Sequence, residues 1–221
     1  MKLLYTILLI FLLGMHGYSQ EDSKSKSILD KVSSTTNSYK TIKVEFKFTS
    51  NTDAQSGQQR VESGKMLLKG NKYHLTLSNS DVIFDGKSIY TYLKEPNEIN
   101  ITKPEPSKIE QGDFFFSNPK DIFKGYNKNF KSAFIKETNI NKTTCFEIDL
   151  YPIDLKTKYS RIKMYIDKIK YQIIDVRLYL KDGSQHLLEF FNFVPNYDLD
   201  DKEFIFDTKK YPGAEVNDMR F

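Results

Sequence analysis

The sequence predicts a mainly β (α+β) protein of about eleven antiparallel strands with a leading helix and an apolar interruption. Three observations carry this. Apolar and polar residues alternate strictly over 41–48, the period of a strand with one dry and one wet face. Similar strands, separated by short polar turns, recur to the end of the chain. One helical stretch precedes them, and one irregular but apolar stretch over 103–125 interrupts them.

Taken in order, 23–38 reads as the helix. Ile28, Leu29, Val32 and Tyr39 recur near one face at spacings of three, four and seven, and Ser and Lys fill the other. In the first strand Ile42, Val44, Phe46 and Phe48 share a face, opposite Lys43, Glu45 and Lys47. A polar loop over 51–57 leads to a returning strand at 60–69, whose interior Gly64 suggests a bulge or bend. Tyr73, Leu75 and Leu77 alternate against Lys72, His74 and Thr76 in the next strand. Asp85-Gly86 is a hairpin turn between strands at 82–84 and 88–93, and 98–102 is another short strand. Pro104, Pro106, Gly112, Pro119 and Gly125 then punctuate a segment that still holds Ile109, Phe114, Phe115, Phe116, Ile122 and Phe123. A linker should be polar, so this segment is expected to hold one or two short helices docked on something apolar. Strands at 129–137, 143–151, 159–166, 171–180 and 185–194 follow as a meander, with 204–206 and 215–219 as short closing strands.

The start of the chain reads as a targeting segment. Lys2 is the only charge before Glu21, and 3–13 is almost unbroken hydrocarbon. That run is too short for a bilayer span of roughly 20 residues and fits a signal peptide. Gly17 and Ser19 place the cut after Ser19, giving a signal peptide over 1–19 and a single domain over 20–221. The expected product is exported to the periplasm, free in solution and monomeric. Cys145 is the only cysteine, so no intramolecular disulfide can form. No lipidation cysteine follows the apolar run, and Cys145 is expected to be buried and inert.

Composition narrows the chemistry. The net charge is +4, with Lys and Glu interleaved among apolar residues, and no basic stripe suggests a nucleic-acid partner. There is no Gly-x-Ser-x-Gly, no phosphate-binding Gly loop and no metal-ligand spacing of His, Cys and carboxylates. His74 and His186 sit in strand patterns, read as one surface and one packing imidazole. No enzyme, catalytic residue, metal site or cofactor is therefore expected.

A half-open barrel must cover its dry face, and the helix and the Phe-rich segment are the candidates. A helical layer over a wide sheet can leave a cavity suited to acyl chains, where each buried methylene contributes about 0.8 kcal/mol. The candidate lipid-binding lining is Val44, Phe46, Phe48, Met66, Leu68, Leu75 and Leu77, with Phe114, Phe115, Phe116 and Phe123 from the covering segment.

Three stretches carry a family resemblance. Ile28-Leu29-Asp30-Lys31-Val32-Ser33-Ser34, followed by Tyr39 and the alternating strand, resembles the start of the LolA-type periplasmic outer-membrane lipoprotein carriers. Asp85-Gly86-Lys87-Ser88-Ile89-Tyr90-Thr91-Tyr92 is similar to that family's turn into an aromatic strand. The ending resembles its close: Phe204 and Phe206, then Pro212-Gly213-Ala214-Glu215-Val216-Asn217-Asp218. The resemblance implies an incomplete barrel under a helical lid and a carrier that moves lipidated proteins toward the outer membrane. Implied partners are lipidated proteins or their acyl chains, an inner-membrane release machinery and an outer-membrane acceptor. Lys69-Gly70-Asn71 departs from the family's lysine-arginine-proline. The family arginine is tied to lid opening, and Gly70 cannot do that job. Two other readings of the same fold are a lipid-sensing or scaffold domain and an accessory protein of envelope lipid metabolism.

Overall fold

The computed structural model describes residues 22–51, 59–104, 122 and 129–220. The segment 1–19, its cleavage position, and Phe114, Phe115, Phe116 and Phe123 lie outside the described residues. The helix α1 (Ser23–Ser38) comes first. The strands are β1 (Thr41–Asn51), β2 (Gln59–Lys69), β3 (Lys72–Leu77), β4 (Ser80–Phe84), β5 (Ile89–Leu93) and β6 (Glu98–Thr102). They continue with β7 (Phe130–Ile140), β8 (Thr143–Pro152), β9 (Tyr159–Asp167), β10 (Ile173–Leu180), β11 (Gln185–Pro195) and β12 (Glu215–Asp218).

All twelve strands form one sheet in the order β12-β6-β5-β4-β3-β2-β1-β11-β10-β9-β8-β7. The twelve strands agree with the expected count of about eleven. The sheet is open, with β12 and β7 at its edges, as an incomplete barrel requires. Short turns make neighbouring strands antiparallel, because a two-residue hairpin reverses the chain. Two pairings need long connections. β1 pairs antiparallel with β11 and joins the two meanders; β12 lies parallel on β6.

Two sequence expectations change. Gly64 sits in an unbroken register of β1 with β2, opposite Phe46, so it marks a close approach and not a bulge. The register shifts fall elsewhere, including Lys43/Glu45 and Phe134/Lys136. Residues 204–206 form no strand; Phe204 ends a 3-10 turn over Asp201–Phe204. The expected strand over 215–219 is present as β12. At Lys69-Gly70-Asn71, Gly70 has φ +58° in the tight turn from β2 to β3, a conformation glycine adopts without strain.

α1 starts where Asp22 accepts the Lys24 amide, satisfying one of the orphan donors of its first turn. The second carboxylate oxygen of Asp22 accepts the Phe134 amide on edge strand β7. Ser25 Oγ and Ser132 Oγ, both buried, are 2.7 Å apart, which fixes the helix on β7. Ile28, Leu29 and Val32 face the sheet, and the helix ends as Tyr39 turns extended.

The two sheet faces differ. The inner face, under α1, holds the main apolar core. Part of the outer face is crossed by the strap over 196–214. There Phe204 buries against Leu67 and Leu199, and Phe206 stacks between Tyr90 and Tyr211 with ring centroids 5.0 Å apart on each side.

Candidate functional site

Alternation places Val44 and Phe46 of β1, Met66 and Leu68 of β2, and Leu75 and Leu77 of β3 on the inner face, all buried in one cluster. Register builds rows across the strands. Val44 is opposite Met66, Met66 opposite Leu75, and Leu75 opposite Val82. In the next row Phe190, Phe46, Gly64 and Leu77 are successive partners. The missing side chain at Gly64 makes room for the Phe46 ring: a Cβ there would lie 2.5 Å from Phe46 Cζ.

Phe48 is half-buried at the end of this surface, packed on the same core. Its ring centroid is 5.5 Å from that of His186, and it pairs with Glu62 on β2 and Leu188 on β11. The apolar surface therefore meets polar groups at Phe48. His186 is partly buried, and desolvation holds its pKa below the ordinary value, against the opposing charge of Asp182.

The described lining residues are thus brought together, but the surface is wider than the candidate set. Ile148 and Leu150 of β8, Ile162 and Met164 of β9, Val176 and Leu178 of β10, and Leu188 and Phe190 of β11 belong to the same cluster. The signal that finds them is the same period of two, running through 146–150, 162–166 and 186–190.

The outer face carries charge. Lys163 Nζ hydrogen-bonds Glu147 and lies 3.1 Å from Asp149, and both carboxylates are buried. Burial acts to lower the Lys163 pKa, but its hydrogen bonds and charge pairing with Glu147 and Asp149 outweigh this and hold it above the ordinary value. Arg161 pairs with Asp149 at 3.2 Å and Arg177 with Asp175 at 3.1 Å, and their guanidinium groups cover Tyr179 and Tyr165. Burial raises the Asp175 pKa, and Arg177 opposes it. A groove of about 420 Å³ beside this network is lined by polar and charged groups such as Lys47, Thr49, Asn51, Arg177 and Glu189. Its lining is unsuited to an acyl chain, and these side chains point away from the inner face.

His74 lies on the outer face, with Nε2 3.4 Å from Asp81 and Nδ1 3.6 Å from Glu203 on the strap. Cys145 is buried, and burial raises its thiol pKa. Among the described residues no group of three or more His, Cys, Asp or Glu could hold a metal ion. Among them also, no helix is long and apolar enough to cross a membrane.

Open sheet, leading helix and apolar inner face together make an incomplete barrel with one helix against its inner side. Residues 15–111 match the family model of the outer membrane lipoprotein carrier protein LolA. That match covers less than half of the chain and, with the fold, supports a LolA-type family. Residues 74–190, more than half the chain, also match the model of a family described only as an uncharacterized protein, and the chain belongs to that family. Among curated proteins none matches.

Similar solved structures include an uncharacterized conserved protein from Thermus thermophilus, at 9% identity and TM-score 0.59, covering 89% of this chain and 99% of that one. A putative outer membrane lipoprotein-sorting protein domain from Vibrio parahaemolyticus has 11% identity and TM-score 0.49, covering 82% and 96%. A LolA superfamily protein from Nitrosomonas europaea has 14% identity and TM-score 0.44, covering 83% and 98%. The Thermus likeness supports the fold, and at such identity it bears on the fold alone.

Proposed function

We propose that this chain is an exported, periplasmic carrier that binds the acyl chains of lipoproteins against the inner face of its sheet and moves them toward the outer membrane. The observation that supports this best is the inner face itself. It is one apolar cluster running from β1–β3 through β11 and β10 to β8, with α1 packed against it. Its side chains are largely hydrocarbon, so an acyl chain is a partner of matching chemistry. The proposed lining is Val44, Phe46, Phe48, Met66, Leu68, Leu75 and Leu77, with Phe114, Phe115, Phe116 and Phe123 as its cover. The proposed partners are lipidated proteins, a machinery that releases them from the inner membrane, and an acceptor at the outer membrane.

Phe48 is the place to test the reading, because it is half-buried where Phe46 is fully buried. Phe48→Asp puts a charge at the end of the apolar surface and should weaken binding of a fluorescent fatty-acyl probe at least tenfold. Lys47 faces outward and pairs with Glu189 at 3.0 Å in an exposed ion pair of small worth. Lys47→Asp should therefore leave binding unchanged. Circular dichroism must show both variants folded. Equal affinities for the two folded variants would remove the inner face from the account.

A further inference from the structure

The connection from β8 to β9, residues 153–158, exposes aliphatic side chains while its backbone is held in place. Leu155 is 80% exposed and Ile153 is 54% exposed. The Ile153 amide donates to Asn129 O at 2.9 Å, and Lys181 Nζ donates to Leu155 O from the β10–β11 turn. The Lys181 amide donates to Lys158 O at 2.9 Å, and Thr157 between them is buried. The connection is tied from both sides, so its apolar residues stand in water on an ordered turn.

Lys156 and Lys158 lie on this connection and Lys181 on the turn tied to it, and all three are exposed. Asp154 and Asp182 are the carboxylates of these two turns. Asp154 accepts the Lys156 amide at 2.8 Å; Asp182 accepts the amide and hydroxyl of Ser184 at 2.9 and 2.6 Å. Two exposed aliphatic side chains with three exposed lysines on the same pair of turns match the chemistry of an anionic bilayer surface. Hydrocarbon enters the acyl boundary while ammonium groups stay among the phosphates.

The opposite end of the sheet offers a comparison. Ile169 is 87% exposed on the β9–β10 turn, but it has no second exposed aliphatic beside it on that turn. Its neighbours are Lys168, paired with Glu137 at 2.6 Å, and the exposed Lys170. A single exposed apolar residue is ordinary on a protein surface.

We propose that residues 153–158 form a membrane-contact tip, in which Ile153 and Leu155 enter the interface of an anionic bilayer and Lys156, Lys158 and Lys181 bind its headgroups. Two aliphatic residues and three lysines give reversible contact, not anchoring. This surface is separate from the inner face and does not depend on what that face binds.

The chain contains no tryptophan, so one introduced indole reports its own position. Leu155→Trp and Ile169→Trp are mixed with vesicles of phosphatidylcholine containing phosphatidylglycerol, with no acyl probe or lipidated protein present. Leu155→Trp should shift its emission to the blue and be quenched by brominated lipid, while Ile169→Trp should do neither. Lys156→Gln in the Leu155→Trp background should lower vesicle affinity about fivefold. High salt should lower it further. An unchanged spectrum for Leu155→Trp would overturn the proposal. So would equal responses at the two positions, or the same response with uncharged vesicles.

Discussion

Gly64 and Phe46 share one volume. A methyl group at position 64 would sit 2.5 Å from Phe46 Cζ and 2.6 Å from Thr76 O, and the carbonyl belongs to the backbone of β3. Neither neighbour can withdraw without disturbing the sheet. Gly64→Ala should therefore lower stability by about 1–3 kcal/mol, the usual cost of overpacking, measurable by urea denaturation. His186 gives a pH test at the same scale. Its pKa is depressed in the folded state, so the unfolded state binds the proton more readily below the ordinary value of 6.5. Its contribution to stability is full above that value and is lost as pH falls from there through the lower folded-state pKa. His186→Gln should flatten this part of the stability profile, measured as Tm against pH. An unchanged slope in the variant would assign the pH dependence to other groups.

Among the elements, α1 and the inner-face strands were legible in the sequence because burial imposes a period. Ile28, Leu29 and Val32 mark one helical face, and Ile42 to Phe48 mark one strand face. The strap was not legible. Its apolar anchors, Leu199, Phe204, Phe206 and Tyr211, follow no period, since each meets a different part of the outer face. One signal was present: Met66, Leu67 and Leu68 break the alternation of β2, and Leu67 is the residue that Phe204 covers. Phe204→Ala should cost about 3–5 kcal/mol where the strap docks. Hydrogen exchange should then show protection lost in the strap and β12, while β8–β10 stay protected. Uniform loss across the sheet would mean that the strap is part of the global fold and not a separately docked element.

At the scale of the molecule, turn chemistry revealed neighbouring strands but not the whole strand order. β1 beside β11 and β12 beside β6 are contacts between residues far apart in sequence, and no local pattern encodes them. The same limit narrowed the candidate lining to β1–β3 and the Phe-rich segment. Only the pairing of β1 with β11 adds β8–β11 to the same apolar surface. Charge on the outer face completes the division of labour, with buried Glu147 and Asp149 paired to Lys163 and Arg161. The proposed acyl binding at this face predicts that the protein carries lipid. Native mass spectrometry of the protein purified from its own cell envelope tests this most directly. The account predicts a folded protein carrying a stoichiometric mass that dissociates as a lipid or an acylated peptide. A folded protein that carries no added mass, and gains none when lipidated peptide is supplied, would contradict it.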